Sequence, residues 1–554
     1  MKRIQYIGAI ACAAIILLFS SCSNDYLNRT PTSALDTEVV MSNPDYVSST
    51  VVGTMRLMYS YGFGGRNATL IGDMMTDMVS SIRGSNGTML DMERWNIQVR
   101  TTEVSSFWAN GYAIAAASAR TISAAERLLN SSSTTNTQAT QLRSAIAASL
   151  VTKVYAEYFL TQYFCVDYNL KENSELNNGV PYQMPGSNPY TVGIVVLKGA
   201  ALGLEEAANM STLEDTYAYM EAEIDSAISY FNQSGSKNFI LSPTRYYPTL
   251  CAAYVLKARL ALAQHKYDQA IEAAQNALEN LPSGANATLI SNADNLLGAY
   301  GTTPSSEDIW LLNYTSADNL SANSLQNMFD SYGCNPSNYA LSLFKTGDIR
   351  RALYIGKDEA KPSQVSTCKK YPEANAVFNV PVLRVPEIYL IQAEAKAASG
   401  DVEGAKEALL AVLGARDTSV QGDMSAMESK YAITESTIRQ VIMDENAREF
   451  LCEGHRWSDL RRNGMRLSRP GDKDNEQYQL HFTNYPLATF AFPVPYDETT
   501  TEQWKKGKGI IDAASNAKDS KNWNNNAWDK LSGDIYGAGV TLPAEGTDYA
   551  DYAN

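Results

Sequence analysis

The spacing of apolar and polar positions along this chain is dominantly helical, and alanine fills many of the apolar places. Residues 250–282 predict a helical hairpin in which Ala270 and Ala277 let two helices approach, Tyr267 packs at the turn and Pro282 ends the second helix. Residues 386–413 repeat the logic. Pro386 suits a first helical turn, Gly400-Asp401 forms the connection, and Ala393, Ala397, Ala405 and Ala408 make the close contacts. Fainter pairs fall at 107–129 with 141–164, and at 213–231 as a partner for 250–263.

Two clear and two faint pairs predict a mainly α protein, a tetratricopeptide-like helical repeat scaffold with long loop insertions and a few short strands. Three insertions interrupt it. Residues 60–106 carry Tyr61, Phe63, Arg94 and Trp95; residues 169–212 carry Tyr182 and Tyr190; residues 283–340 carry Tyr300, Tyr314, Tyr332, Asn335 and Tyr339. Loops of this length in a compact protein are usually functional. The chain has 33 tyrosines, and aromatic rings among polar residues form platforms for flat, partly apolar ligands. Trp95, beside Asp91, Arg94 and Asn96, is the expected platform, with Tyr61, Tyr332, Arg94 and Asn335 as neighbours. Trp108 precedes Tyr112 and Ile114 on a helix and is expected in the core.

From Asp444 to Arg462 there is no proline, and charges fall three or four apart, so the stretch predicts one amphipathic helix. Asp444 or Glu445 with Arg448, and Glu453 with Arg456, are its expected pairs, and Asn463-Gly464 its left-handed stop. Gly454 within that span predicts a close neighbour at the backbone.

Glu445, Glu449, Phe450, Glu453, Gly454, Arg456, Trp457, Asp459, Leu460, Arg462 and Gly464 fall in the places of a known pattern. The stretch resembles the signature of the SusD/RagB family, nutrient-capturing lipoproteins at the outer membrane of Bacteroidota. Asn446 stands where that pattern usually has arginine. Gly179-Val180-Pro181, Glu307-Asp308-Ile309-Trp310 at the start of a short strand, Asp348-Ile349-Arg350-Arg351 and Phe492-Pro493-Val494-Pro495 are similar to further segments of the family. The resemblance spans about residues 22–498 and fits 505–554 poorly. It implies a protein that binds glycan, or less readily peptide, and passes it to a SusC-like TonB-dependent transporter, with Glu449 and Glu453 in structural roles. The expected divisions are a leader at 1–21, an N-terminal region at 22–245, a C-terminal region at 246–504 and a tail at 505–554.

The N-terminus bears on address. Lys2 and Arg3 precede an apolar run from Ile7 to Phe19, too short to cross a bilayer, and Ser20-Ser21-Cys22 follows. This predicts a cleaved lipoprotein leader with Cys22 as the acylated first residue, anchored by its acyl chains, and the resemblance implies that the anchor is in the outer membrane with the protein facing the exterior. Losing Lys2 and Arg3 takes the net charge from −15 to −17, which disfavours nucleic acid as a partner. Cys165, Cys251, Cys334, Cys368 and Cys452 are scattered and odd in number, so they read as small buried residues rather than a disulfide framework. His265, His455 and His481 have no metal-ligand spacing, and no cofactor or catalytic motif is evident. A lipid-anchored glycoside hydrolase is the competing class, because the sequence cannot fix the separation of its carboxylates. A pure scaffold is a third option.

Overall fold

The computed structural model describes residues 37–81, 89–95, 97–171, 193–197, 199, 208, 210–354, 368–372, 377–469, 482–485, 487–501 and 503. The expected leader and its Cys22, most of the 169–212 insertion with Tyr182 and Tyr190, and the 505–554 tail lie outside the described residues.

Helices dominate as the periodicity predicts. The elements that position the site are α1 (Pro44–Met58), α2 (Asn67–Met75), α3 (Thr102–Leu129), α4 (Asn136–Phe164), α5 (Leu213–Ser234), α6 (Leu250–Ala263) and α7 (Tyr267–Glu279). Further along come α8 (Val385–Ala398), α9 (Val402–Arg416), α10 (Ile438–Glu449) and α11 (Arg456–Arg462). From α3 to α9 each of these helices packs on the next, with α1 lying across α3 and α4. All four predicted pairs are present as packed helices. Alanine explains the closeness: Ala252, Ala253, Ala258, Ala270, Ala274, Ala277, Ala393 and Ala405 are buried where helices meet.

Local chemistry fixes the helix ends. The Thr135 hydroxyl accepts from Gln138 N–H while Gln138 Oε1 accepts from Thr135 N–H, a reciprocal cap at the start of α4. Asp401 Oδ1 accepts from Gly404 N–H at 2.9 Å, and Gly400 turns the chain at φ +91°, as that dipeptide predicts.

Among the described residues, six short strands pair two by two, all antiparallel. β1 (Val79–Ser81) pairs with β3 (Cys334–Pro336), placing Ser80 opposite Asn335. β2 (Asp308–Asn313), which starts within the predicted segment, pairs with β4 (Asn379–Arg384). β5 (Leu467–Arg469) pairs with β6 (Phe482–Tyr485). The β1–β3 ladder joins the 60–106 insertion to the 283–340 insertion, far apart in sequence.

The Asp444–Arg462 stretch is two helices, not the single one its charge spacing predicts. α10 stops at Glu449, residues 450–455 form a turn, and α11 starts at Arg456. Cys452 (φ +66°) and Gly454 (φ +81°) both occupy the left-handed region in that turn. A Cβ on Gly454 would lie 2.5 Å from the Ala68 carbonyl oxygen, so the expected close approach is real, although its setting is a turn. The expected Glu453–Arg456 pair does not form: Arg456 grips Asp77 at 2.8 Å and Glu453 turns to Arg384 at 2.7 Å. Of the other expected pairs, Arg448 takes Glu445 at 2.7 Å, while Asp444 accepts from Gln440. Gly464, at φ +61°, provides the predicted stop, with Met465 N–H donating to Leu460 O at 2.8 Å.

Candidate functional site

Two places concentrate polar chemistry: the interior around α10 and α11, and the junction of the two insertions.

In the interior, five cations (Arg350, Arg384, Arg416, Arg448, Lys370) meet five carboxylates (Glu307, Asp348, Glu445, Glu449, Glu453). Glu449 is the hub, contacting Arg384 Nη1 at 2.8 Å, Arg416 Nη2 at 3.0 Å and Arg350 Nη1 at 3.1 Å. Burial alone would raise the Glu449 carboxyl, but Arg416, Arg384 and Arg350 together hold it well below the usual carboxylate range. A carboxylate so held carries no proton to donate and is closed to solvent, so it cannot serve as a glycosidase acid. Balance between the two signs is what makes the burial tolerable, because unpaired charges there would cost several kcal/mol each.

α11 locks this interior to the helical array. Trp457 Nε1–H donates to Gln162 O at 3.0 Å, and Arg461 donates to Gln162 O, to Cys165 O at 2.6 Å and to Phe490 O at 3.2 Å. The guanidinium thereby satisfies carbonyls left open at the C-terminal end of α4. Phe492 and Val494, from the predicted Phe-Pro-Val-Pro segment, are buried with Trp457 and Tyr163.

A cavity of about 40 Å³ lies beside α11, lined by Tyr158, Gln162, Arg259, Glu387, His455 and Asp459 among others. A water takes ≈ 30 Å³ in the liquid, whereas ligand pockets run to hundreds of Å³. The cavity therefore suits water and excludes a sugar ring. A larger open groove of about 590 Å³ between α7 and α8, lined by Asp268, Glu272, Gln275, Asn276 and Lys396, has no aromatic ring along it.

At the junction, the expected residues separate. Trp95 is 1% exposed; its indole N–H donates to Met75 O at 3.1 Å, and its ring meets Tyr485 and Phe490 edge-on at 5.0 Å each. It is a core residue with no face open for stacking, which corrects the expected platform. The polar company of Asp91 and Arg94 misled because the chain turns sharply there, at φ +57° for Trp95, and sends the indole inward. Asn335 is also buried, at 5% exposure, on β3 opposite Ser80, so it is corrected with Trp95. Arg94 and Tyr332 are half-buried. Trp108 lies in the core as expected, its Nε1–H donating to Glu498 Oε2 at 3.3 Å.

Tyr61 is half-buried, with the Arg66 guanidinium 4.9 Å from its ring centroid. Arg66 itself is buried and donates to Asn67 Oδ1 and to Asn323 Oδ1, both at 2.9 Å. Desolvation pulls its pKa below the usual guanidinium value, with Glu103 opposing. The 283–340 insertion is also tied to α1 and the residue after it: the Tyr314 hydroxyl donates to Tyr59 O at 2.6 Å, and Arg56 pairs with Asp318 at 2.6 Å. A Cβ on Gly65 would lie 2.4 Å from both Tyr314 Oη and Tyr59 O, so glycine is needed here for close packing. On the same junction Tyr339 is 41% exposed, next to the Arg456–Asp77 pair, and Ser337 Oγ donates to Asp77 O at 2.5 Å. Arg66, Asn323 and the exposed ring of Tyr339 are the residues that sequence reasoning did not select. Arg66 adjoins the glycine run after Tyr61 and could have been suspected; nothing local marks Asn323.

The sequence pattern of the SusD family matches residues 361–532. The fold matches a SusD superfamily protein from Bacteroides thetaiotaomicron with a TM-score of 0.67 at 18% identity, covering 83% of this chain and 98% of that one. A SusD superfamily protein from Bacteroides fragilis gives 0.66 at 18% identity, over 83% and 98%. A SusD-like carbohydrate binding protein from Bacteroides vulgatus gives 0.65 at 13% identity, over 84% and 98%. No curated protein matches the chain by sequence. The resemblance carried by the signature is thus borne out: the C-terminal part has the SusD family pattern, and the fold is that of SusD superfamily proteins.

Proposed function

We propose that the chain is a lipid-anchored glycan-binding protein of the outer-membrane surface that captures oligo- or polysaccharide and passes it to a TonB-dependent transporter without cleaving it. The observation that carries the reading is the family pattern over residues 361–532 in a fold shared with a protein described as carbohydrate binding. The junction of the insertions supports it. There the half-buried Tyr61 and the exposed Tyr339 supply aromatic rings for the apolar side of a pyranose, and the half-buried Asn323, held by buried Arg66, supplies a polar group for its hydroxyls. Anchoring rests on Cys22 after the short apolar run, and no helix among the described residues is long and apolar enough to cross a membrane.

The state of Glu449 and Glu453 supports binding without turnover. Both are engaged by buried cations, leaving the conspicuous carboxylate pair of the signature unable to supply a general acid and a nucleophile. Incubation of the purified protein with starch, xylan, mannan and β-glucan should deplete it onto at least one polymer and release no new reducing ends. Steady release of reducing ends, abolished by one Asp or Glu substitution, would place a hydrolase first. Cys22→Ser should free the protein from membranes. Extraction of the native protein in mild detergent should bring down a far larger barrel protein, and elution only as a free monomer in that barrel's presence would remove the transporter from the account.

A further inference from the structure

The chain carries a net charge of −15, yet one turn of its surface is unbalanced the other way. Asp348 N–H donates to Lys345 O at 3.1 Å and Arg351 N–H to Asp348 O at 3.3 Å, so residues 345–351 form two consecutive turns. They bring the Arg351 guanidinium back to Phe344 O at 3.2 Å, the carbonyl immediately before Lys345. Lys369 joins from another segment, its ammonium donating to Ala352 O at 3.1 Å and its backbone N–H to Leu353 O at 2.9 Å. Lys345 and Arg351 are exposed and Lys369 is half-buried. Among the described residues none of the three pairs with a carboxylate, because the acids of this region hold other cations. Asp348 takes the buried Arg350 at 2.8 Å, Asp417 takes Lys430 at 2.6 Å, and Glu445 takes Arg350 and Arg448 at 2.7 Å each.

Lys345 is also crowded by like charge. Its ammonium donates to Lys430 O at 2.6 Å and lies 4.6 Å from the Tyr431 ring centroid, with the Arg448 guanidinium 5.2 Å from the same ring. Desolvation, then Arg448 and Lys430, hold it below the usual lysine value, with Asp417 and Asp444 opposing. The backbone beneath these cations is fixed before any ligand arrives. Thr418 N–H donates to Gly347 O at 3.1 Å and Ile349 N–H to Arg416 O at 2.9 Å, and at Gly347 (φ +95°) a Cβ would lie 3.1 Å from Asp417 Oδ1. The exposed ring of Tyr339 belongs to the same wound stretch. Its helix runs Asn338–Ser342, and the Leu343 and Phe344 N–H groups continue it by donating to Ala340 O and Leu341 O at 3.3 Å each. Tyr339 and Lys345 are thus about two turns apart.

We propose that the turn of Lys345 and Arg351, with Lys369 beside it, binds acidic groups of the captured glycan, so that the protein takes carboxylate- or sulfate-bearing polysaccharide in preference to the neutral form. The inference rests on the glycan capture proposed above and names the class of glycan. Lys345 and Arg351 each use one N–H in the hydrogen bonds just described, so both keep donors for an anion. Arg351 can meet a carboxylate or sulfate with two parallel N–H bonds, and an anion seated there relieves the repulsion that Arg448 and Lys430 exert on Lys345. A lipid phosphate would use the same charges. Tyr339 favours sugar, because its ring supplies an apolar contact that a pyranose can use and a phosphate cannot. Bulk charge works against any polyanion at net −15, so a preference for the acidic form has to come from a local site and weakens with salt.

The test compares starch, xylan, mannan and β-glucan, each with its carboxymethylated and its sulfated derivative, in depletion assays on the full chain at low and at high salt. At low salt at least one acidic form should bind about tenfold more tightly than its neutral parent, the order that two or three exposed charge contacts supply, and high salt should erase the difference. Lys345→Ala combined with Arg351→Ala should abolish the preference. Because the preference is a ratio within one preparation, partial loss of folding does not move it. Lys345→Arg should keep it, and so should Lys257→Ala, which removes a cation paired with Asp225 on the helical array. Equal binding of neutral and acidic forms would overturn the inference and leave glycan capture standing. Failure to bind any form would remove capture itself, and the inference with it. A preference that persists in the double variant would also overturn it. So would sedimentation with anionic phospholipid vesicles without any gain for acidic glycans, which would assign the turn to a lipid headgroup.

Discussion

Glu449→Gln probes the interior on which the signature depends. The substitution keeps the size of the side chain and removes one buried negative charge, leaving Arg350, Arg384 and Arg416 without their shared partner at 3.1, 2.8 and 3.0 Å. Removing one member of a buried pair costs about 3–5 kcal/mol. Three such losses do not add, because each arginine keeps a carboxylate: Arg350 has Asp348 and Glu445, Arg384 has Glu453, and Arg416 has Glu307. The expected destabilisation therefore stays at about 3–5 kcal/mol, a large share of the roughly 5–15 kcal/mol that holds a typical protein folded. Guanidinium unfolding at pH 7 measures it directly, through a lowered midpoint at unchanged slope. The pH dependence adds a second reading. Because the folded carboxyl lies below its unfolded value of about 4.3, its contribution is fully present above that pH and is lost as pH falls through the folded value. The gap between native and variant should stay constant down to about pH 4.3 and narrow below it. A difference under about 1 kcal/mol at pH 7 would refute the hub role.

Three further outcomes follow from the same structure. Trp95→Ala should cost about 3–5 kcal/mol of stability as a large-to-small core change, while the surviving folded fraction binds glycan with native affinity in calorimetry. Gly454→Ala, which places a Cβ against the Ala68 carbonyl at a left-handed backbone position, should lower the melting temperature, and an unchanged melt would show that the turn can give way. Asp73 is buried and its carboxyl is pushed up to about 7 by desolvation, opposed by the Gly454 and Cys452 backbone N–H groups. A raised acid contributes stability that is full below its unfolded pKa and is lost as pH rises through about 7, so Asp73→Asn should remove that alkaline loss in melts taken from pH 5 to pH 8.

The helical scaffold was legible because its signal is local: alanine-rich spacing, Pro386 and Gly400-Asp401 act within a few residues of where they stand. Charge spacing alone missed the break between α10 and α11. Glu453 and Arg456 satisfy a helical rule, yet Arg384 and Asp77 outbid them from elsewhere in the chain. The β1–β3 ladder joins the two insertions, but which aromatic ring is buried did not follow from composition. Trp95 and Tyr61 read alike among polar neighbours. Only the turn at Trp95 and its hydrogen bond to Met75 distinguish a core indole from a surface ring.

Calorimetric titration of the protein and of Tyr61→Ala with an oligosaccharide of whichever polymer depletes it tests the central claim most directly. Stacking is worth roughly 1–3 kcal/mol per ring by analogy with base–aromatic contacts, so the account predicts saturable binding by the native protein, affinity weakened by about that amount in Tyr61→Ala, an unchanged melt and intact ligand recovered afterwards. Native affinity in Tyr61→Ala together with native affinity in Tyr339→Ala would contradict the account, as would ligand recovered in fragments.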